Sequence, residues 1–81
     1  MPTTTTTEQV EQVVTAALTS FGADAEHINP EATFEALDVD SLDLAEMAQI
    51  IEDRFGVELT SNDVKGIETI GDLVALVVAR A

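Results

Sequence analysis

The chain has 81 residues, and its 16 acidic and three basic residues give a formal net charge of −13 at pH 7. A chain of this length folds as one domain around one small core, and the absence of cysteine excludes disulfides and thiolate metal sites. The charge excludes ordinary nucleic-acid binding, because three bases cannot neutralise a phosphate backbone. It favours partners that present basic patches.

The hydrophobic residues make up 46% of the chain and are periodically placed, which favours a folded domain over a disordered acidic tail. No apolar run approaches the roughly 20 residues that span a bilayer. The N-terminus, Met1 and Pro2 followed by five threonines, lacks the basic and apolar regions of a signal peptide. We therefore expect a monomeric cytoplasmic protein without a membrane span.

The first predicted helix covers about residues 8–21 and follows a lead-in, residues 1–7, that we expect to be disordered. Thr7 is its predicted cap and Gly22 its predicted stop. Apolar residues recur at helical spacing and form one stripe, namely Val10, Val13, Val14, Ala17, Leu18 and Phe21.

Residues 22–40 form a connection that is long for so small a domain unless it is packed or functional. Its apolar residues, among them Phe34, can hold it against the core, and a short helical turn between Pro30 and Ala36 is compatible with the sequence. His27 is the only histidine and has no second ligand type nearby, so we interpret it as a surface residue.

The second predicted helix covers about residues 41–55, with Asp40 as its cap and Asp43 completing a capping box. Its core stripe is Leu44, Met47, Ala48, Ile51 and Phe55. The opposite face places Leu42, Ala45 and Gln49 among Asp43, Glu46, Glu52 and Asp53. A solvated helix face is the simpler interpretation, but an apolar spot ringed by acids is typical of a docking face for a basic partner.

A short helix of about residues 61–66, capped by Thr60 or Ser61, and a last helix of about residues 69–80, capped by Thr69, complete the chain. Ile67 and Val64 are predicted to face inward, and the stripe of the last helix is Ile70, Leu73, Val74, Val77 and Val78. The sequence therefore predicts an all-α fold, a small four-helix bundle of three main helices and one short helix in a single domain, 1–81.

Ser41, flanked by acids at a helix start, is the residue whose chemistry needs explaining. A nucleophilic serine enzyme requires a base and an orienting group, and one histidine without a G-x-S-x-G motif does not favour catalysis. A calcium-binding EF-hand loop starting at Asp38 is excluded, because Leu42, Asp43 and Gln49 stand where an oxygen ligand, glycine and glutamate are required. We predict no metal site.

Residues 37–47, LDVDSLDLAEM, resemble the phosphopantetheine attachment site of acyl carrier proteins. The resemblance continues through residues 28–34, 51–59 and 67–73, and it covers nearly the whole chain from Val10 to Ala79. The tripeptide Asp-Ser-Leu alone is common. Within these surrounding segments, and in a chain of this length, it is highly specific to the family. The chain most resembles the free-standing carriers of dissociated, type II synthases, and the resemblance implies their bundle with an apolar cavity.

The resemblance implies that Ser41 accepts 4'-phosphopantetheine from coenzyme A, and that acyl intermediates are carried as thioesters on its thiol. It implies a non-catalytic protein that is a substrate of phosphopantetheinyl transferase, ketosynthase, malonyl/acyl transferase and other synthase enzymes with basic docking patches. The implied docking residues are Asp40, Leu42, Asp43, Ala45, Glu46, Gln49, Glu52 and Asp53. The implied acyl-chain cavity is lined by Phe34, Leu44, Met47, Ile51 and Ile67.

The sequence departs from the family pattern at four positions. Asp38 stands where many members have glycine, and Thr60 where proline is frequent. Gln49 replaces a commonly apolar residue, and Arg54 occupies a position that is often acidic, so both bear on which enzymes dock. A peptidyl carrier and an unmodified acidic interaction module remain alternatives, and the sequence leaves fatty-acid or polyketide synthesis open.

Overall fold

A computed structural model describes residues 6–81, and the first five residues of the predicted lead-in lie outside it. Residues 6–81 form four α-helices, α1 (Thr7–Ser20), α2 (Ser41–Phe55), α3 (Ser61–Lys65) and α4 (Ile70–Arg80), with a 3-10 helix, Ala25–His27, between α1 and α2. Three long helices and one short helix confirm the predicted all-α fold. Within this range the only β-type pairing is a single antiparallel bridge between Thr33 and Thr69.

Each α-helix begins with a capping box, in which the cap side chain accepts the N–H of the third helical residue and that residue's side chain accepts the N–H of the cap. The four pairs are Thr6 with Gln9, Asp40 with Asp43, Thr60 with Asp63, and Thr69 with Asp72. These bonds satisfy backbone donors that have no partner inside the helix, and three of the boxes place a carboxylate at the positive end of the helix dipole.

The first helix differs from its prediction at its start. α1 begins at Thr7 and is capped by Thr6. The predicted cap at Thr7 is therefore wrong, and so is the predicted disorder of Thr6 and Thr7. Gln9 explains the difference, because its amide oxygen accepts the N–H of Thr6 at 3.0 Å, whereas Thr7 as a cap would face the apolar Val10.

The core lies where α1 packs against α4 and α2, and all of its buried members are apolar. Its members are Val10, Val14, Ala17, Leu18, Phe34, Met47, Ile51, Val57, Ile70, Leu73, Val74 and Val77. The outer members of the predicted stripes are only partly buried, namely Val13, Phe21, Leu44, Ala48, Phe55 and Val78. The stripes therefore identify the inward face correctly but overestimate its width.

The long connection before α2 is fastened to the start of α4. Backbone bonds join the N–H of Gly71 to the carbonyl of Pro30 at 2.9 Å and the N–H of Ile70 to the carbonyl of Ala32 at 3.0 Å. A Cβ atom on Gly71 would lie 2.9 Å from the Pro30 carbonyl oxygen, so only glycine admits this approach. These contacts hold the segment that leads to Ser41 against the bundle.

A single capped helical turn lies between Thr33 and Asp38, close to the predicted turn. The Thr33 hydroxyl accepts the N–H of Ala36 at 3.0 Å. The turn ends where the N–H of Val39 donates a hydrogen bond to the carbonyl of Phe34 at 3.0 Å. Asp38 occupies the left-handed position of this Schellman motif with a φ of 58°. Glycine is the usual residue there, because a side chain at positive φ crowds its own backbone.

Arg80 joins the end of α4 to α3. Its guanidinium makes two parallel bonds to the Asp63 carboxylate, at 2.6 and 2.7 Å, and these residues form the only salt bridge in the described part of the chain. The guanidinium and the N–H of Thr60 hold the pKa of Asp63 well below its ordinary range.

We predict that Arg80→Met lowers the melting temperature at pH 7, and that the deficit shrinks as the pH falls below about 4. Because the folded pKa of Asp63 is depressed, its stabilisation is complete above the unfolded pKa and is lost as the pH falls towards the folded value. Thermal melts between pH 7 and pH 2.5 measure this. Arg54→Met, which breaks no salt bridge in the described residues, is the control; an equal deficit at both pH limits would contradict the prediction.

We predict that Asp38→Gly raises the free energy of unfolding by up to about 1 kcal/mol, because glycine adopts positive φ without the steric penalty. Urea denaturation at neutral pH measures the change. Asp38→Asn removes the same charge but keeps a side chain, so it separates backbone relief from reduced repulsion. A full gain in the asparagine variant would assign the effect to charge instead.

Candidate functional site

Ser41 is the first residue of α2, and its side chain is exposed. The carboxylate of Asp40 accepts the N–H of Asp43 at 2.9 Å, and the carboxylate of Asp43 accepts the N–H of Asp40 at 3.5 Å. The predicted cap and capping box are thus confirmed. The carboxylates of Asp40 and Asp43 thus both accept backbone N–H groups at the start of α2.

The backbone around Ser41 suits an anionic substituent. Among the described residues, the N–H groups of Ser41 and Leu42 have no hydrogen-bond acceptor, as is usual in the first turn of a helix. Together with the positive end of the α2 dipole, these donors favour a negative group bonded to the Ser41 oxygen by roughly 0.3–1 kcal/mol. A phosphodiester at this position therefore fits the residues present.

Beside Ser41, the outer face of α2 combines one apolar residue with many acids. Leu42 is 75% exposed and is the only large hydrophobic residue exposed to this degree in the range 6–81. Gln49 donates to the carboxylate of Asp53 at 3.1 Å, so the amide extends the polar network of the face. Asp43 is half-buried, and the other residues of the predicted docking set are exposed, namely Asp40, Ala45, Glu46, Gln49, Glu52 and Asp53.

An open groove of about 440 Å³ runs from Ser41 between α2 and α3. Its walls are mainly apolar and are formed by Ser41, Leu44, Ala45, Ala48, Leu59, Thr60, Ser61, Val64 and Lys65. We call it the Ser41 groove. It offers a surface along which a flexible chain attached to the serine could lie.

Of the five predicted cavity residues, only Leu44 lines the Ser41 groove. Met47, Ile51 and Phe34 lie in the packed core, and Ile67 lines a separate groove beside α4. Their role as an acyl-chain cavity stays a prediction. Helical periodicity identifies the inner face of a helix, but a gap between two helices depends on how far apart they pack.

The three basic residues have different environments. Arg80 is bound to Asp63, whereas Arg54 and Lys65 have no salt bridge within residues 6–81. Arg54 lines a groove between α1 and α2, and Lys65 lines the Ser41 groove. Sequence reasoning did not single out Lys65; its position next to the inward-facing Val64, in an otherwise acidic chain, was the available signal.

His27 lies exposed on the 3-10 helix. The described residues contain no group of three or more His, Cys, Asp or Glu side chains that could hold a metal ion. Of the helices in this range, none is both long and apolar enough to cross a membrane.

Comparison with known proteins agrees with the geometry. The sequence matches the family described as "Phosphopantetheine attachment site" over residues 11–77. It is 40% identical over 70 residues to an acyl carrier protein of Streptococcus thermophilus, covering 86% of this chain and 88% of that protein. It is 41% identical over 75 residues to an acyl carrier protein of Streptococcus pneumoniae, covering 91% and 93% respectively.

These matches extend over most of both chains, so they concern the whole fold and not a short motif. They confirm the family resemblance seen in the sequence and the implied prosthetic group, 4'-phosphopantetheine. The chain therefore belongs to the acyl carrier protein family.

Proposed function

We propose that this protein carries acyl intermediates on 4'-phosphopantetheine bonded to the side chain of Ser41. The observation that carries the proposal is the position of Ser41, exposed at the start of α2 within the attachment motif and beside an open groove. The arm supplies a terminal thiol on which acyl groups are held as thioesters, so a chain without cysteine can take part in thiol chemistry.

Loading requires a transferase, because Ser41 has no base of its own. The Ser41 oxygen forms a bond to the phosphorus of coenzyme A that bears the pantetheine, and the bond from that phosphorus to the adenosine 3',5'-bisphosphate leaving group breaks. The hydroxyl proton passes to a base of the transferase. The protein contributes presentation: a fixed helix start, an exposed hydroxyl and two free N–H donors. It is thus a substrate and a carrier, not a catalyst.

The outer face of α2 is the proposed docking surface. Its acids would attract basic patches on phosphopantetheinyl transferase, ketosynthase, malonyl/acyl transferase and other synthase enzymes. Leu42 would supply the apolar contact at the centre, because a leucine that is 75% exposed gains free energy when a partner covers it. Gln49 and Arg54 alter the pattern of this surface and would influence the choice of enzyme.

The Ser41 groove gives the carried chain a partly sheltered path. We propose that an acyl chain follows Leu44 into the groove and reaches the core residues Met47, Ile51 and Phe34. It would also reach Ile67, which is partly buried and packs against that core. The enzymes served would be those of a dissociated fatty-acid or polyketide synthase. We propose that the carrier is monomeric and acts in the cytoplasm.

Loading of Ser41 can be tested by intact mass. After incubation with coenzyme A and a phosphopantetheinyl transferase, we predict that the wild type gains the mass of one phosphopantetheine and that Ser41→Ala gains none. Ser61→Ala is the matched control, because Ser61 is also the first residue of a helix and lines the same groove. It should be loaded like the wild type.

An unchanged wild-type mass, or full loading of Ser41→Ala, would overturn the carrier assignment. The first result would favour an unmodified acidic interaction module, in which Ser41 is only a first-turn residue. Circular dichroism of the variants distinguishes loss of the acceptor from loss of the fold, and alanine at the start of a helix should preserve the fold.

The docking surface can be tested with Glu46→Lys. We predict that this change lowers kcat/KM for loading on the order of 10-fold at low ionic strength, because it places a cation opposite a basic patch. The defect should diminish at high salt. Glu26→Lys changes the net charge equally but lies on the 3-10 helix, so it should have a much smaller effect. Equal defects in the two variants would indicate that only net charge matters.

A further inference from the structure

We infer that Lys65 is a positioning residue that holds the phosphodiester attached to Ser41 from the opposite wall of the Ser41 groove. The inference rests on the proposed function and adds to it an anchor for the prosthetic arm. It concerns the first segment of the arm, next to the serine, and not the acyl chain at the far end.

The first argument is placement. Ser41 lies at the start of α2 and Lys65 is the last residue of α3, and both line the same groove of about 440 Å³. A phosphorus bonded to the Ser41 oxygen is fixed at the edge of this groove. Lys65 is exposed and carries its ammonium on a flexible four-carbon stem, so it can adjust to an anion there.

The second argument is charge availability. Lys65 is the only charged residue on the groove wall; the other polar members, Ser41, Thr60 and Ser61, are hydroxyl residues. Although the chain has 16 acidic residues, no carboxylate in the described range lies within salt-bridge distance of Lys65. Arg80, by contrast, is bound to Asp63. The ammonium of Lys65 is therefore available to an anion that arrives later.

The third argument is the local need for positive charge. A phosphodiester adds a negative charge to a segment that already carries Asp38, Asp40 and Asp43. The free N–H groups of Ser41 and Leu42 offer only partial charges. A full positive charge across the groove would offset the repulsion and would direct the arm along the groove instead of outward into solvent.

The test is a thermodynamic cycle on the full chain, with unmodified and phosphopantetheine-loaded forms of the wild type, Lys65→Met and Arg54→Met. We expect Lys65→Met to lower the equilibrium constant for folding in both forms. The decrease should be about two- to five-fold larger in the loaded form, as for the loss of an exposed ion pair. Arg54→Met removes an equally unpaired cation that lines a different groove, so its effect should be the same in both forms.

A second measurement reads the phosphodiester directly. The ³¹P resonance of the loaded wild type should shift with added salt as the ion pair is screened, and Arg54→Met should behave in the same way. The ³¹P resonance of loaded Lys65→Met should lie near the position that the wild type reaches at high salt, and it should shift little as salt is added. This readout follows the phosphate itself, so it does not depend on the small stability difference.

The outcomes separate the two proposals. If the wild type is loaded but the cycle gives no coupling and the three ³¹P titrations coincide, the role of Lys65 is overturned and the carrier function stands. If Lys65→Met only slows loading, with neither coupling nor an altered ³¹P shift, Lys65 contacts the transferase and the inference is likewise overturned. If the wild type gains no mass, both proposals fail.

Discussion

The reciprocal hydrogen bonds between Asp40 and Asp43 determine where α2 begins, and the site depends on that position. A start one residue later would make Ser41 the cap and place its N–H outside the first turn of the helix. The same bonds use the N–H of Asp43 and leave those of Ser41 and Leu42 free. One local motif therefore sets both the position of Ser41 at the helix start and the set of free donors around it.

The motif is effective because the chain before it is held in place. The connection between α1 and α2 contains only the short 3-10 helix Ala25–His27 and one helical turn, yet backbone bonds from Gly71, Ile70 and Phe34 join it to the start of α4. Asp38 then adopts the left-handed conformation, which turns the backbone towards Asp40, the cap of α2. Stability of the bundle and presentation of the serine thus depend on the same contacts.

The features that sequence reasoning predicted well are local ones. The Asp40 and Thr69 caps follow from residues three apart, and the core stripes follow from helical spacing within single helices. Even the error at α1 had a local signal, since Gln9 selects Thr6 from a run of threonines. The pairing of Arg80 with Asp63 across 17 positions and the groove that brings Lys65 beside Ser41 depend on tertiary packing, which no local pattern encodes.

The buried interior of the described chain contains no polar side chain, so its side chains are held together by apolar packing. Parting α2 from its neighbours would break no buried side-chain hydrogen bond, so the free energy required would come from the packing contacts that are lost. A methylene chain is chemically equivalent to the leucine, valine and isoleucine side chains that it would displace. An acyl chain on the proposed path would therefore have to displace packed apolar side chains, but it would leave no buried polar side chain without a partner.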